Sequence, residues 1–132
     1  MKIPALVFPG QGPETAFRTA YDLLGRRAPS EALEVLEPAL AEDPTNRGLR
    51  QLKAWALMTR VQLAKAEELL RELVAENPSD DWAQHALGRV LERQSRPAEA
   101  LPHLKLAAIM SGDYDHEAAV YRVTRELARL NG

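Results

Sequence analysis

One fixed interval governs where small and large apolar residues fall along this chain. Leu87-Gly88, Leu91, Ala100, Leu104 and Ala107 form the third of three sets. About 34 residues back, Ala54, Leu57, Ala66, Leu70 and Leu73 occupy the same places, and a second step lands on Ala20, Leu23, Ala32, Leu36 and Ala39. Pro44 and Pro78 keep the interval too, with Gly112 in the third place. A period of that length must carry two helices and both their turns in step. Few folds satisfy it, and a stack of antiparallel helix pairs is the one it predicts.

The rest of the composition narrows the chemistry. A chain of 132 residues with 45% hydrophobic and 27% charged residues can bury a core without metal or crosslinks, as one continuous domain. Its 17 basic and 19 acidic residues are interspersed, so the clustered cations that neutralise phosphates are missing and no nucleic-acid partner is expected. With no cysteine, disulfides, thiolate metal sites and cysteine nucleophiles are excluded. Ile3 to Phe8 is apolar but interrupted by Pro4 and flanked by Pro9, too short for a signal-peptide core, and no run approaches the ~20 apolar residues of a membrane span. A cytoplasmic protein without a membrane partner is the expectation.

Residues 1–12 stand outside the repeats. The prolines favour an extended apolar arm, and Gly10-Gln11-Gly12-Pro13 reads as a turn into the first helix. The repeats then span about 13–46, 47–80 and 81–114. Helices are predicted over 13–25 and 29–42, 46–60 and 63–76, and 80–94 and 97–110, with a last helix over 114–130. Asp43-Pro44-Thr45-Asn46 and Asn77-Pro78-Ser79-Asp80 each stop one helix and cap the next. In the last helix Ala118, Tyr121 and Leu127 are expected to cover the end of the stack, with Arg122, Arg125, Glu126 and Arg129 facing water. Pro38 and Pro102 fall inside helices, where kinks are expected.

These columns resemble the tetratricopeptide-repeat family, whose pattern asks for Leu-Gly and a large residue in the first helix, then small, large, small and Pro. Leu87-Gly88, Ala100, Ala107, Pro44 and Pro78 match it. Leu23, Leu57 and Leu91, with Leu36, Leu70 and Leu104, take the large sites, and Ala20 and Ala54 replace the glycine. The resemblance covers residues 13–130. It implies an all-α fold, a right-handed superhelical α-solenoid of antiparallel helix pairs, acting as a non-enzymatic module that binds a partner protein's peptide or helix in a concave groove. By register the groove positions are Phe17, Tyr21 and Leu24 in the first repeat and Gln51, Trp55 and Met58 in the second. In the third they are Trp82, His85, Arg89, Glu92 and Arg93.

Both tryptophans and two further aromatics therefore fall on the expected inner face. They read either as anchors for a partner's apolar side chains or as packing between repeats. Some relatives hold chaperone C-terminal carboxylates with Lys and Asn. Phe17, Tyr21, Gln51 and Trp55 stand at those places, which disfavours that ligand. Arg89 and Arg93 can meet an acidic group or pair with Glu92, Asp80 and Asp81. The arm either caps the first helix, lies in its own groove, or enters a neighbour's and makes a homo-oligomer. The last alternative is a self-assembling structural protein.

Catalysis finds no support in the sequence, and no cofactor or metal is expected. Val7-Phe8-Pro9-Gly10-Gln11-Gly12 looks like the opening motif of acyl-carrier-protein acyltransferases, but no serine sits in the Gly-x-Ser-x-Gly elbow that such enzymes need. Asp113, Asp115, His116 and Glu117 read as ordinary capping rather than a ligand set. His85 is expected to make a polar contact in the groove, and His103 to face solvent.

Overall fold

The computed structural model describes residues 12–132. The arm and most of the Val7–Gly12 motif lie outside the described residues; Gly12 already belongs to the first helix. Seven α-helices follow: α1 (Gly12–Gly25), α2 (Pro29–Glu42), α3 (Arg47–Thr59), α4 (Leu63–Glu76), α5 (Asp81–Arg93), α6 (Pro97–Ser111) and α7 (Tyr114–Asn131). Among the described residues there is no strand.

The punctuation between helices is local and repeats. After α1, α3 and α5 the chain turns through Arg27, Val61 and Ser95, each left-handed at φ near 60°. The next amide donates back to Leu23, Leu57 and Leu91 respectively, at 2.8, 2.9 and 3.0 Å. This is a Schellman closure, which satisfies carbonyls that the helix end leaves open. Pro29 and Pro97 then open α2 and α6, where a missing N–H costs nothing. Asn46 and Asp80 cap α3 and α5, accepting from the amides of Leu49 and Ala83 at 3.0 Å. Gly112 ends α6 in the left-handed region, and Asp113 caps α7. Both α2 and α6 run through their exposed prolines without a break in helix.

The helices divide into two compact units, the first ending at Gln62 and the second beginning at Leu63. In the first, α1, α2 and α3 pack on one another. Alanines at 16, 20, 32, 39 and 56 let the helices approach, and Leu24, Leu36, Leu49 and Leu52 fill the space between them. Lys53 reaches Glu37 across the α2–α3 contact at 3.1 Å.

In the second unit α5 packs on α4, α6 and α7. Gly88 is a point of close approach to α6: a Cβ built there would lie 2.5 Å from Leu104 Cδ2 and 3.3 Å from the Ala100 carbonyl. Glu67 on α4 ties down the α5–α6 turn, accepting from Gln94 at 2.9 Å and Arg96 at 2.7 Å as well as from Arg71. Burial alone would raise its pKa, but these hydrogen bonds outweigh it and hold the carboxyl at about 2.

The last helix corrects the expectation for its covering face. Ala119 and Val123 are buried, whereas Tyr121 is 72% exposed. Two small residues allow α7 to lie close, and the phenol is turned outward. Arg122 does not simply face water, because it bonds Glu92 of α5.

Candidate partner-binding surface

In the first unit the expected contact residues separate into surface and core. Phe17 and Tyr21, one helical turn apart on α1, stack with ring centroids 6.2 Å apart, and Tyr21 meets Trp55 of α3 edge-on at 5.8 Å. The three rings make a continuous aromatic ladder across α1 and α3. Gly48 makes room for it: a Cβ there would meet the Phe17 ring at 3.2 Å. Phe17 and Tyr21 are 37% and 53% exposed, while Trp55 is half-buried against the core. Gln51 and Met58 are also half-buried. Leu24 corrects the sequence expectation. It is only 4% exposed and belongs to the hydrophobic core, so its side chain has no surface to offer a partner.

In the second unit the positions of α5 equivalent by register are mostly polar. Trp82 is half-buried at its start, with its backbone N–H donating to the Asp81 carboxylate at 2.9 Å. His85 stacks on His116 of α7, ring centroids 4.1 Å apart. Glu92 accepts both Nε and Nη2 of Arg122 at 2.6 and 2.8 Å, a bidentate pair that joins α5 to α7. Arg89 Nε lies 3.4 Å from the same carboxylate, within ion-pair range but out of line for a hydrogen bond. Arg93 is exposed.

Electrostatics follow from this crowding. Burial, then the neighbouring His116, Arg89 and Arg122, push His85 down to about 4 against a weaker opposing pull from Asp113. The ring is therefore neutral at physiological pH, and its Nδ1 has no hydrogen-bond partner among the described residues. Hydrogen bonds from Arg122 hold Glu92 below the usual carboxylate range despite partial burial.

Several side chains took roles that sequence reasoning did not assign. Asp81 accepts the Trp82 amide, a contact that the sequence did not suggest. His103 does not face solvent: its Nδ1 donates to Gln84 Oε1 at 2.8 Å, while Gln84 Nε2 donates to the Pro78 carbonyl at 3.0 Å. His116 and Arg122 were assigned to capping and to water. The packing of α3 on α1 is the signal that could have placed them, since by the same repeat logic α7 must meet α5. Asp113 spends its carboxylate on the Asp115 amide at 2.7 Å. Among the described residues no cluster of His, Asp or Glu is arranged to hold a metal, and no helix is long and apolar enough to cross a membrane.

A family model described as tetratricopeptide repeat matches residues 23–91, just over half the chain. Solved structures share the fold at low identity. The first such domain of human RPAP3 superposes with a TM-score of 0.80 at 18% identity, covering 87% of this chain and 91% of that one. The first such domain of Spaghetti (RPAP3) bound to the HSP90 peptide SRMEEVD gives 0.82 at 18% identity, covering 92% and 99%. Naa15/Naa10 bound to HypK-THB gives 0.73 at 16% identity, covering 86% of this chain but only 17% of that one. Among proteins of curated function, none matches the sequence.

Proposed function

This chain belongs to the tetratricopeptide-repeat family, and from that premise we propose that it is a protein-interaction module that holds a peptide or helical segment of a partner on the exposed faces of α1 and α3. The observation that carries this reading is the aromatic ladder of Phe17, Tyr21 and Trp55. Rigid rings supply large contact area while freezing few rotors, and a half-exposed ladder leaves that area open to a partner's apolar side chains. A solved relative of the same fold holds a peptide, which supports the class of ligand. The ligand here differs in kind: an apolar anchor suits the ladder better than a carboxylate tail does.

Within the second unit, α5 presents the half-buried Trp82 and the exposed Arg93. Glu92 and Arg122 saturate each other, so they frame a ligand rather than grip its charge.

The test is selection from a displayed random-peptide library on the wild-type chain, followed by affinity measurement on a Phe17→Ser, Tyr21→Ser variant. Both rings are exposed enough for the fold to survive, which circular dichroism checks. Selected peptides should share an aliphatic or aromatic anchor and lose at least tenfold in affinity. Equal binding to the variant would remove the ladder from the site.

A further inference from the structure

We propose that α7 is a self-association surface, joining this chain to a second copy by antiparallel pairing of the two α7 helices. The inference does not rest on the peptide-binding reading and uses different residues.

The exposed side of α7 is apolar in its first half, and Arg125 and Arg129 continue the same groove. Tyr114, Ala118 and Tyr121 follow one another at helical spacing, and the two tyrosines are 80% and 72% exposed. Repeat logic shows why a fourth intramolecular pair cannot take this face. Counted from the N-caps Asp80 and Asp113, Tyr121 occupies the place of Gly88, where α5 and α6 approach closely. A phenol there holds off a helix packed in the manner of α6. It accepts one lying at wider spacing, with small residues such as Ala118 opposite the rings.

Charge on α7 selects the occupant and its direction. The first turn is acidic, with Asp115 and Glu117. The second half carries Arg125 and Arg129, with Glu126 bound by Arg129 at 2.6 Å. Among the described residues Glu117 and Arg125 make no ion pair. A parallel copy would set like ends together, whereas an antiparallel copy sets the acidic start of each helix beside the basic end of the other. Such a contact is isologous and closes on itself as a dimer. One helix face buries less than the ~1,200–2,000 Å² of a standard stable interface, so the association is weak and depends on concentration.

Sedimentation velocity over a concentration series tests it on the full chain. The wild type should shift reversibly from monomer to dimer. An acid-end variant, Asp115→Lys with Glu117→Lys, and a base-end variant, Arg125→Glu with Arg129→Glu, should each stay monomeric while keeping helical circular dichroism. Mixed together they should pair, because each then meets its opposite, and that rescue excludes misfolding as the cause. A wild type that remains monomeric at every concentration overturns the proposal. So does a dimer that survives both reversals, or one lost on deleting residues 1–11 while the charge variants still associate, since the contact then lies elsewhere.

Discussion

His85 and His116 hold their imidazoles face to face, 4.1 Å apart and within 19° of parallel, at the contact between α5 and α7. Burial first, and then the positive surroundings of Arg89 and Arg122 with the neighbouring imidazole, keep His85 neutral in the folded chain, its pKa pushed down to about 4. An unfolded histidine titrates near 6.5. The stabilisation is therefore complete above about pH 6.5 and is lost as pH falls towards 4. Half-exposure limits the loss to the order of 1 kcal/mol. Thermal melts between pH 7 and 4.5 should show a declining midpoint that His85→Phe flattens in part. The remainder belongs to His103, whose pKa burial and then Arg71 also lower. Glu67 and Glu92, both held below the usual range, begin to lose their contribution only as pH reaches about 4.5, at the foot of this window. An identical slope in the variant would show that the stacked pair is not the sensor.

Gly88→Ala should destabilise the second unit. Its new methyl falls 2.5 Å from the fully buried Leu104, whose surroundings allow little retreat. Overpacking of this kind costs about 1–3 kcal/mol, against roughly 1 kcal/mol gained in helix propensity. Urea unfolding should report a net loss of about 1 kcal/mol. A more stable variant would mean that α5 and α6 can part without penalty.

Val61→Gly should act in the opposite direction. Val61 is a β-branched residue held at φ 61°, a conformation that costs an L-residue about 1–2 kcal/mol. Glycine removes that strain and forfeits part of the gain through its freer unfolded chain, leaving a net gain of about 0.5–1 kcal/mol. Val61→Ala, which keeps a Cβ, serves as the control. If alanine stabilises as much as glycine, exposure of the valine rather than backbone strain is the cause.

Gln84 is the buried polar residue on α5, 2% exposed, and it links the Pro78 carbonyl to His103. Gln84→Leu strands both partners and should cost about 1–3 kcal/mol. Pairing it with His103→Leu should recover part of that loss, and the double-mutant cycle measures the coupling. Strict additivity of the two changes would show that the bond carries no energy.

The helices were legible because their signals are local. Asn46, Asp80 and Asp113 cap where a capping residue precedes a periodic run, and the observed bounds fall within a residue or so of the expected ones. What sequence could not supply was rotation about a helix axis at the ends of the pattern. Alanines 118 and 119 offer α7 two alternative apolar stripes, one continuing to Tyr121 and the other to Val123. Only the space against α5 and α6 decides between them. Leu24 was misplaced for a related reason. Its column runs Leu24, Met58, Glu92, buried in one repeat and half-exposed in the next two, so register alone gives one answer where packing gives two. The ring pairs Tyr21–Trp55 and His85–His116 join helices that are not adjacent in sequence, and their distances had to come from three dimensions.

The packing partners of each helix lie one or two helices away along the chain: α1 with α2 and α3, α5 with α4, α6 and α7. Such a topology places contacting residues close in sequence, so closing a loop costs little entropy before contacts form. During synthesis, α1 to α3 can form their mutual contacts once Gln62 has left the ribosome, while α4 is still within the exit tunnel. The nascent chain thus has no need to keep its first leucines exposed while it waits for its last helix.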